Sequence, residues 1–140
     1  MKMLGPFGTN SRIGFVGLGV MGGGMAHCLL RKGFALQIYA LNPQISQPFV
    51  EAGATAATSA AALASSCDLV FLSLPDAAVV EEVLFGPQGL AKGLAPGSCV
   101  VDTSTIAATS ARAVGVRIRE QGVWFMDVPV SGSQHGALDG

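Results

Sequence analysis

The run Ile13-Gly14-Phe15-Val16-Gly17-Leu18-Gly19-Val20-Met21-Gly22 constrains this chain more than any other stretch. An apolar strand runs straight into G-x-G-x-x-G (Gly17, Gly19, Gly22), and a helical pattern follows. Gly17 permits a tight strand-to-helix turn. Gly19 lets a pyrophosphate approach the backbone, and Gly22 lets the helix pack closely on the strand. The N–H groups at the helix start then face a phosphate. In a chain with 19 glycines the spacing alone is weak evidence. The context strengthens it: a strand before, a helix after, and a second apolar strand at 35–39 closing a βαβ unit of about 30 residues. No G-K-[ST] follows the glycines, so a P-loop ATPase is excluded.

The rest of the chain repeats the alternation. Strands are predicted at 12–16, 35–39, 55–56, 69–74, 98–101 and 123–126. Helices are predicted at 20–32, 43–51, 60–65, 76–85 and 106–121, with a helical scrap at 90–94. Met21, Met25, Cys28 and Leu29 fall on one face of the first helix. Asn42 and Pro43 read as N-cap and first residue of the second. Residues 127–140 read as a polar, Gly-rich tail. Strands and helices alternating at this spacing imply an α/β fold, a doubly wound parallel sheet of the Rossmann-like dinucleotide-binding type. Ligands of such sheets sit beyond the carboxyl ends of the strands. That rule selects the loops at 17–22, 40–43, 74–76 and 102–105.

Composition narrows the function classes. Of the 140 residues, half are hydrophobic and 12% are charged, as expected of a sheet buried on both faces. The net charge of -1 and the lack of a basic cluster give no electrostatic case for nucleic acid or an anionic membrane surface. No apolar run approaches the ~18 residues of a membrane span. Residues 1–11 lack the apolar core of a signal peptide and read as a disordered leader before a single domain at 12–140. Cys28, Cys67 and Cys99 are widely spaced in apolar surroundings, which suggests buried reduced thiols and a cytoplasmic protein. No metal-binding spacing is present. His135 reads as a solvated loop residue and His27 as a surface residue of the first helix. Asp102 and Asp127 read as turn residues at strand ends.

Four segments together resemble the 3-hydroxyisobutyrate dehydrogenase family, the β-hydroxyacid dehydrogenases related to 6-phosphogluconate dehydrogenase. They are residues 14–22, Leu74-Pro75-Asp76, Val101-Asp102-Thr103-Ser104-Thr105-Ile106, and Asp127-Val128-Pro129-Val130-Ser131-Gly132-Ser133, in the family's order and spacing. Residues 81–86 with Gly97-Ser98 are similar to the tartronate semialdehyde reductase branch. The resemblance covers residues 12–140. It implies hydride exchange between a nicotinamide cofactor and a small β-hydroxy acid or its semialdehyde. It places the cofactor on Gly17, Leu18, Gly19, Val20, Met21 and Gly22, on Ala40, Leu41 and Asn42, on Leu74 and Pro75, and on Thr105. It places the substrate carboxylate on Ser131, Gly132 and Ser133. Helix capping by Ser104 or Thr105 explains that segment as well as cofactor contact does. The chain departs from the family at Gly23-Gly24, where the second position is often proline, and at Ser133, usually glycine. A glycine inside a helix costs about 1 kcal/mol relative to alanine.

Cofactor choice is set at the end of the second strand. An acid there binds the 2′-OH of NAD, and a nearby arginine signals the 2′-phosphate of NADP. Here Ala40 stands in the acid's place and Leu41 in the arginine's. The expectation is NAD(P), leaning to NADP because no carboxylate repels a phosphate. The family's catalytic lysine lies on a helix downstream of the serine-glycine loop, and Lys2, Lys32 and Lys92 do not match it. No catalytic residue is therefore assigned among these 140. The expectation is a cofactor-binding domain, without the helical second domain, that is inactive alone and self-associates through apolar surface near 123–130. The alternative is a non-catalytic dinucleotide-binding or partner-binding module.

Overall fold

The computed structural model describes residues 5–140. Six strands form one all-parallel sheet: β1 (Ile13–Val16), β2 (Leu36–Tyr39), β3 (Thr55–Ala56), β4 (Leu69–Leu72), β5 (Cys99–Asp102) and β6 (Trp124–Asp127), in the order β3-β2-β1-β4-β5-β6. The connecting helices are α1 (Val20–Arg31), α2 (Pro43–Glu51), α3 (Ala60–Ser65), α4 (Ala77–Phe85) and α5 (Ala108–Arg119), with a 3-10 turn at Leu90–Lys92. The doubly wound sheet is the expected fold. The order reverses between β1 and β4, and a ligand of such a sheet sits beside that reversal.

The central strands are apolar because both faces are covered. On one face Phe15, Ile38 and Leu69 join residues of α1 and α2, including Ala26 and Phe49. Phe15 and Phe71 stack there with centroids 5.7 Å apart. On the other face Val16, Val70, Leu72 and Val100 meet Leu63, Val80, Leu84 and Ile118 from α3, α4 and α5. Local chemistry sets the helix starts. Asn42, Ser59 and Asp76 each accept a backbone N–H of the first turn, from Gln44, Ala62 and Val79 at 3.0, 3.0 and 2.9 Å.

The structure departs from the sequence reading in four places. The segment at 134–139, read as tail, is helix α6 (Gln134–Asp139), capped by Ser133 and packed on α1. Gly24 makes that crossing possible: a Cβ there would press on Ala137 of α6. Strand β4 stops at Leu72, because the Leu74 N–H leaves the sheet to meet the Ser104 hydroxyl at 2.8 Å. Helix α5 begins at Ala108, so neither Ser104 nor Thr105 caps it. His27 is half-buried and stacks on Phe49, centroids 4.3 Å apart, instead of lying free on the surface.

Residues 1–4 of the expected leader lie outside the described residues. Residues 5–11 form neither helix nor strand, and a turn closes where Ser11 N–H meets the Gly8 carbonyl at 2.9 Å. All three cysteines are buried and unbridged. Burial pushes the Cys67 and Cys99 thiols up to about 11, which makes them poor nucleophiles. Among the described residues no helix is long and apolar enough to cross a membrane.

Candidate functional site

Where the sheet order reverses, the loops after β1, β4 and β5 enclose a cleft of 670 Å³. Its floor is the glycine turn. Gly17 has φ +97, and a Cβ on it would run into the Ser73 carbonyl; a Cβ on Gly22 would run into the Gly17 carbonyl. The turn is thus folded tightly against β4 and against itself. Gly19 faces open space, so nothing there blocks a ligand from the backbone. Gly19 is also the N-cap of α1 and offers no side chain to its first turn, which contains no acidic residue. The first-turn N–H groups therefore suit an anion from outside the chain.

The opposite wall comes from β4 and β5. Ser73, Leu74 and Pro75 line it with Thr103, Ser104 and Thr105. Thr105 is exposed, whereas Ser104 and Thr103 are buried. Thr103 donates its hydroxyl to the Leu72 carbonyl at 2.7 Å. Val130, Ser131 and Gly132 close one end of the cleft. Gly132 has φ +133, a conformation that disfavours side chains and exposes the loop's backbone.

The cleft brings together most of the residues singled out in the sequence: Gly17, Gly19, Val20, Met21, Gly22, Leu74, Pro75, Thr105, Ser131 and Gly132. Others fall elsewhere. Leu18 is buried beneath α1 and α2 as part of the core. Ser133 accepts the Gly136 N–H at 3.3 Å and faces an adjoining apolar cavity of 460 Å³ between α1, the sheet and α6. Leu41, 87% exposed, stands at a second cavity of 550 Å³ with Tyr39 of β2 and with Asp76, Val79, Glu82 and Val83 beside or on α4. Neighbouring residues of the loop after β4 line the two sites, Pro75 the cleft and Asp76 this second cavity. Ala40 packs against the core, and the Asn42 carbonyl oxygen Oδ1 is spent on capping α2.

Sequence reasoning missed Ser73 and the α4 residues, while Thr103 lies within the selected loop at 102–105. Ser73 was within reach, since it directly precedes the selected loop at 74–76. Val79, Glu82 and Val83 carry an i, i+3, i+4 signal, but that spacing also describes an ordinary core face.

Asp102 is fully buried at the end of β5. Its Oδ1 accepts the Ser104 N–H at 2.9 Å, and its Oδ2 has no hydrogen-bond partner among the described residues. Burial holds this carboxyl above the ordinary aspartate range; the Ser104 hydrogen bonds work against that, and the negative charge of Asp127 adds to it. His135 is exposed on α6. Of the lysines, neither Lys32 nor Lys92 lines the cleft, and Lys2 is outside the described residues.

A glycine turn feeding an uncapped helix, at the reversal of an all-parallel sheet, defines a dinucleotide-binding domain of the Rossmann class. The family model described as the NAD binding domain of 6-phosphogluconate dehydrogenase matches residues 12–140, and the chain belongs to that family. It is 41% identical to an L-threonate dehydrogenase of Cupriavidus necator, over 91% of this chain and 43% of that one. It is likewise 41% identical to an NAD-dependent L-serine dehydrogenase of Pseudomonas aeruginosa, over 92% and 43%. The crystal structure of a 3-hydroxyisobutyrate dehydrogenase from Salmonella typhimurium superposes with a TM-score of 0.86 at 35% identity, covering 93% of this chain and 45% of that one. The chain therefore spans less than half the length of these relatives.

Proposed function

We propose that these residues form the cofactor half of an enzyme that exchanges hydride between NAD(P)(H) and a small β-hydroxy acid or its semialdehyde. The observation that carries this reading is one cleft shared by the glycine turn, residues 74–75, Thr105 and the Ser131-Gly132 loop. The first-turn N–H groups of α1 would hold the pyrophosphate. Leu74 and Pro75 would border the ribose and nicotinamide, with Thr105 at the nicotinamide end. The bound nicotinamide supplies or takes up the hydride. The Ser131 hydroxyl and the backbone N–H groups beside Gly132 would bind the substrate carboxylate. Ser133, with its hydroxyl already engaged, would act by capping α6 and so fixing that loop. The named relatives act on small hydroxylated acids, L-threonate and L-serine, which supports the substrate class.

The reading for the cofactor is NAD(P)(H) with a weak preference for NADP(H). Ala40 and Leu41 present no carboxylate to repel a 2′-phosphate. Among the described residues no lysine or arginine lines the cavity beside Leu41, and Asp76 and Glu82 do, so the preference is small. The L-serine dehydrogenase relative is NAD-dependent, in keeping with a site that takes both forms. Calorimetric titration of the chain with NADH and NADPH tests this. Both are expected to bind, with NADPH favoured by less than about tenfold, or 1.4 kcal/mol. Binding of neither overturns the reading.

Protonation of the developing alkoxide needs an acid or a strong donor. No lysine among the described residues lines the cleft. The pure 140-residue chain is therefore expected to bind cofactor and to reduce no semialdehyde. The same observation favours a second reading, a dinucleotide-binding module without catalysis. It would hold if cofactor affinity stays unchanged when a β-hydroxy acid is added, whereas a substrate site next to the nicotinamide couples the two.

A further inference from the structure

Three loops of the cleft converge on one residue. The Asp102 Oδ1 accepts the Ser104 N–H at 2.9 Å, and the Ser104 hydroxyl in turn accepts the Leu74 N–H at 2.8 Å. The Asp102 backbone carbonyl accepts the Val128 N–H at 2.8 Å, three residues before Ser131. Thr103 adds a parallel tie, its N–H and hydroxyl both reaching the Leu72 carbonyl at 2.9 and 2.7 Å. Asp102 itself does not line the cleft; it lies behind the wall, fully buried.

We propose that Asp102 is a positioning residue of the cleft: through Ser104 it fixes residues 74–75, and through its own carbonyl it fixes the approach to the Ser131 loop. The proposal rests on the cofactor reading above. A carboxyl with one oxygen left unpartnered in the interior is a costly way to finish a strand. A turn residue needs only to be small and polar. What the longer reach of the carboxyl achieves here is to orient the Ser104 N–H, so that the hydroxyl beside it meets Leu74. Leu74 and Pro75 have left the sheet ladder by this point, and the Ser104 bond replaces the ladder bond that β4 gives up. The shape of this wall then depends on a side-chain chain of two bonds, and small errors in that shape weaken a ligand held against it.

The test uses the full chain with D102N, D102A and S104A. Asn keeps an acceptor for the Ser104 N–H, Ala removes it, and S104A removes the acceptor for Leu74 while keeping the Ser104 N–H. Amide exchange of Leu74 is read without cofactor, so it judges this proposal even if no dinucleotide binds. Protection of Leu74 is expected to fall at least tenfold in D102A and S104A and to persist in D102N. NADH and NADPH affinities, measured well below each variant's Tm, are expected to fall about tenfold in D102A and S104A and to hold in D102N. A purely structural Asp102 would lower the Tm of D102A and leave the affinity of the folded protein unchanged. That result, or unchanged Leu74 protection in S104A, overturns the proposal. Should D102A fail to fold, D102V, which also removes the acceptor but fills more of the buried space, takes its place with the same expected losses, and unchanged Leu74 protection in it overturns the proposal. Wild-type chain that binds neither cofactor refutes the cofactor reading, while the exchange data still judge the network.

Discussion

Burial keeps the Asp102 carboxyl above the range of an exposed aspartate, and the nearby charge of Asp127 pushes the same way. The consequence for stability has a definite sign. A carboxyl raised on folding contributes fully below its unfolded value of about 3.9, and that contribution is lost as pH rises through the folded value. D102N removes the titration. Its Nδ2 sits where Oδ2 has no partner, so it brings a pH-independent offset of its own, on the order of 1 kcal/mol. The difference between the two proteins must nonetheless move in favour of D102N between pH 4 and pH 8. Thermal melts of both across that range check it, and parallel pH profiles would show that Asp102 is not the buried acid described here. Arg12 and Asp68 behave in the opposite way. Hydrogen bonding to Arg12 pulls the Asp68 carboxyl down, so this pair contributes above about pH 4 and is lost as the pH falls. Both side chains are largely exposed, at 64% and 45%, so the pair matters little to overall stability.

At the scale of the element, the end of β2 is where cofactor choice can be moved. Ala40 follows the strand directly, and Leu41 projects into solvent beside the second cavity. Placing a carboxylate at position 40 gives the 2′-OH of NAD a charged acceptor and faces a 2′-phosphate with a like charge. A40D is expected to shift the NADH-to-NADPH affinity ratio towards NADH by about tenfold or more. Titration with the two cofactors measures it, and an unmoved ratio would place the adenosine ribose away from β2. The elements differ in how far the sequence disclosed them. Strand β1, the glycine turn and α1 were legible because three signals coincide there: an apolar run, glycines at fixed offsets, and a 3.6-residue period. The cap Asn42 was legible for a similar local reason. Helix α6 was not. Its six residues offer only Ala137 and Leu138 as an apolar pair, too short a signal for a helical period, and its packing depends on Gly24, more than a hundred residues earlier in the chain. The role of Ser104 was equally hidden, since local sequence offers it the helix start while the structure gives it to Leu74, thirty residues away.

For the whole molecule, the sheet is covered unevenly. The face of β1 and β2 is closed by α1 and α2, and the opposite face by α3, α4 and α5. Beyond β5 the first face is bordered, among the described residues, by the segment after β6 and by α6. There Met126, Val128 and Val130 are 47, 39 and 37% exposed, and the apolar cavity over Phe71 and Val101 opens beside Val128 and Val130. β6 is also an outer strand of the sheet, and this patch lies beside it. An apolar surface of this kind favours association of the 140-residue chain with itself. We expect the chain to elute as a monomer at low micromolar concentration and to shift to larger species as concentration rises. V128S together with V130S is expected to reduce that shift while changing stability by less than about 1 kcal/mol, because both side chains are already exposed. Val130 borders the cofactor cleft as well, so NADH titration of the double variant separates the two roles. Affinity should hold if the cofactor rests on the first turn of α1 and on residues 74–75, as proposed above. Sedimentation that shows a clean monomer at several hundred micromolar would remove the argument, and would mean that the cavity between α1 and α6 is too recessed for another chain to reach.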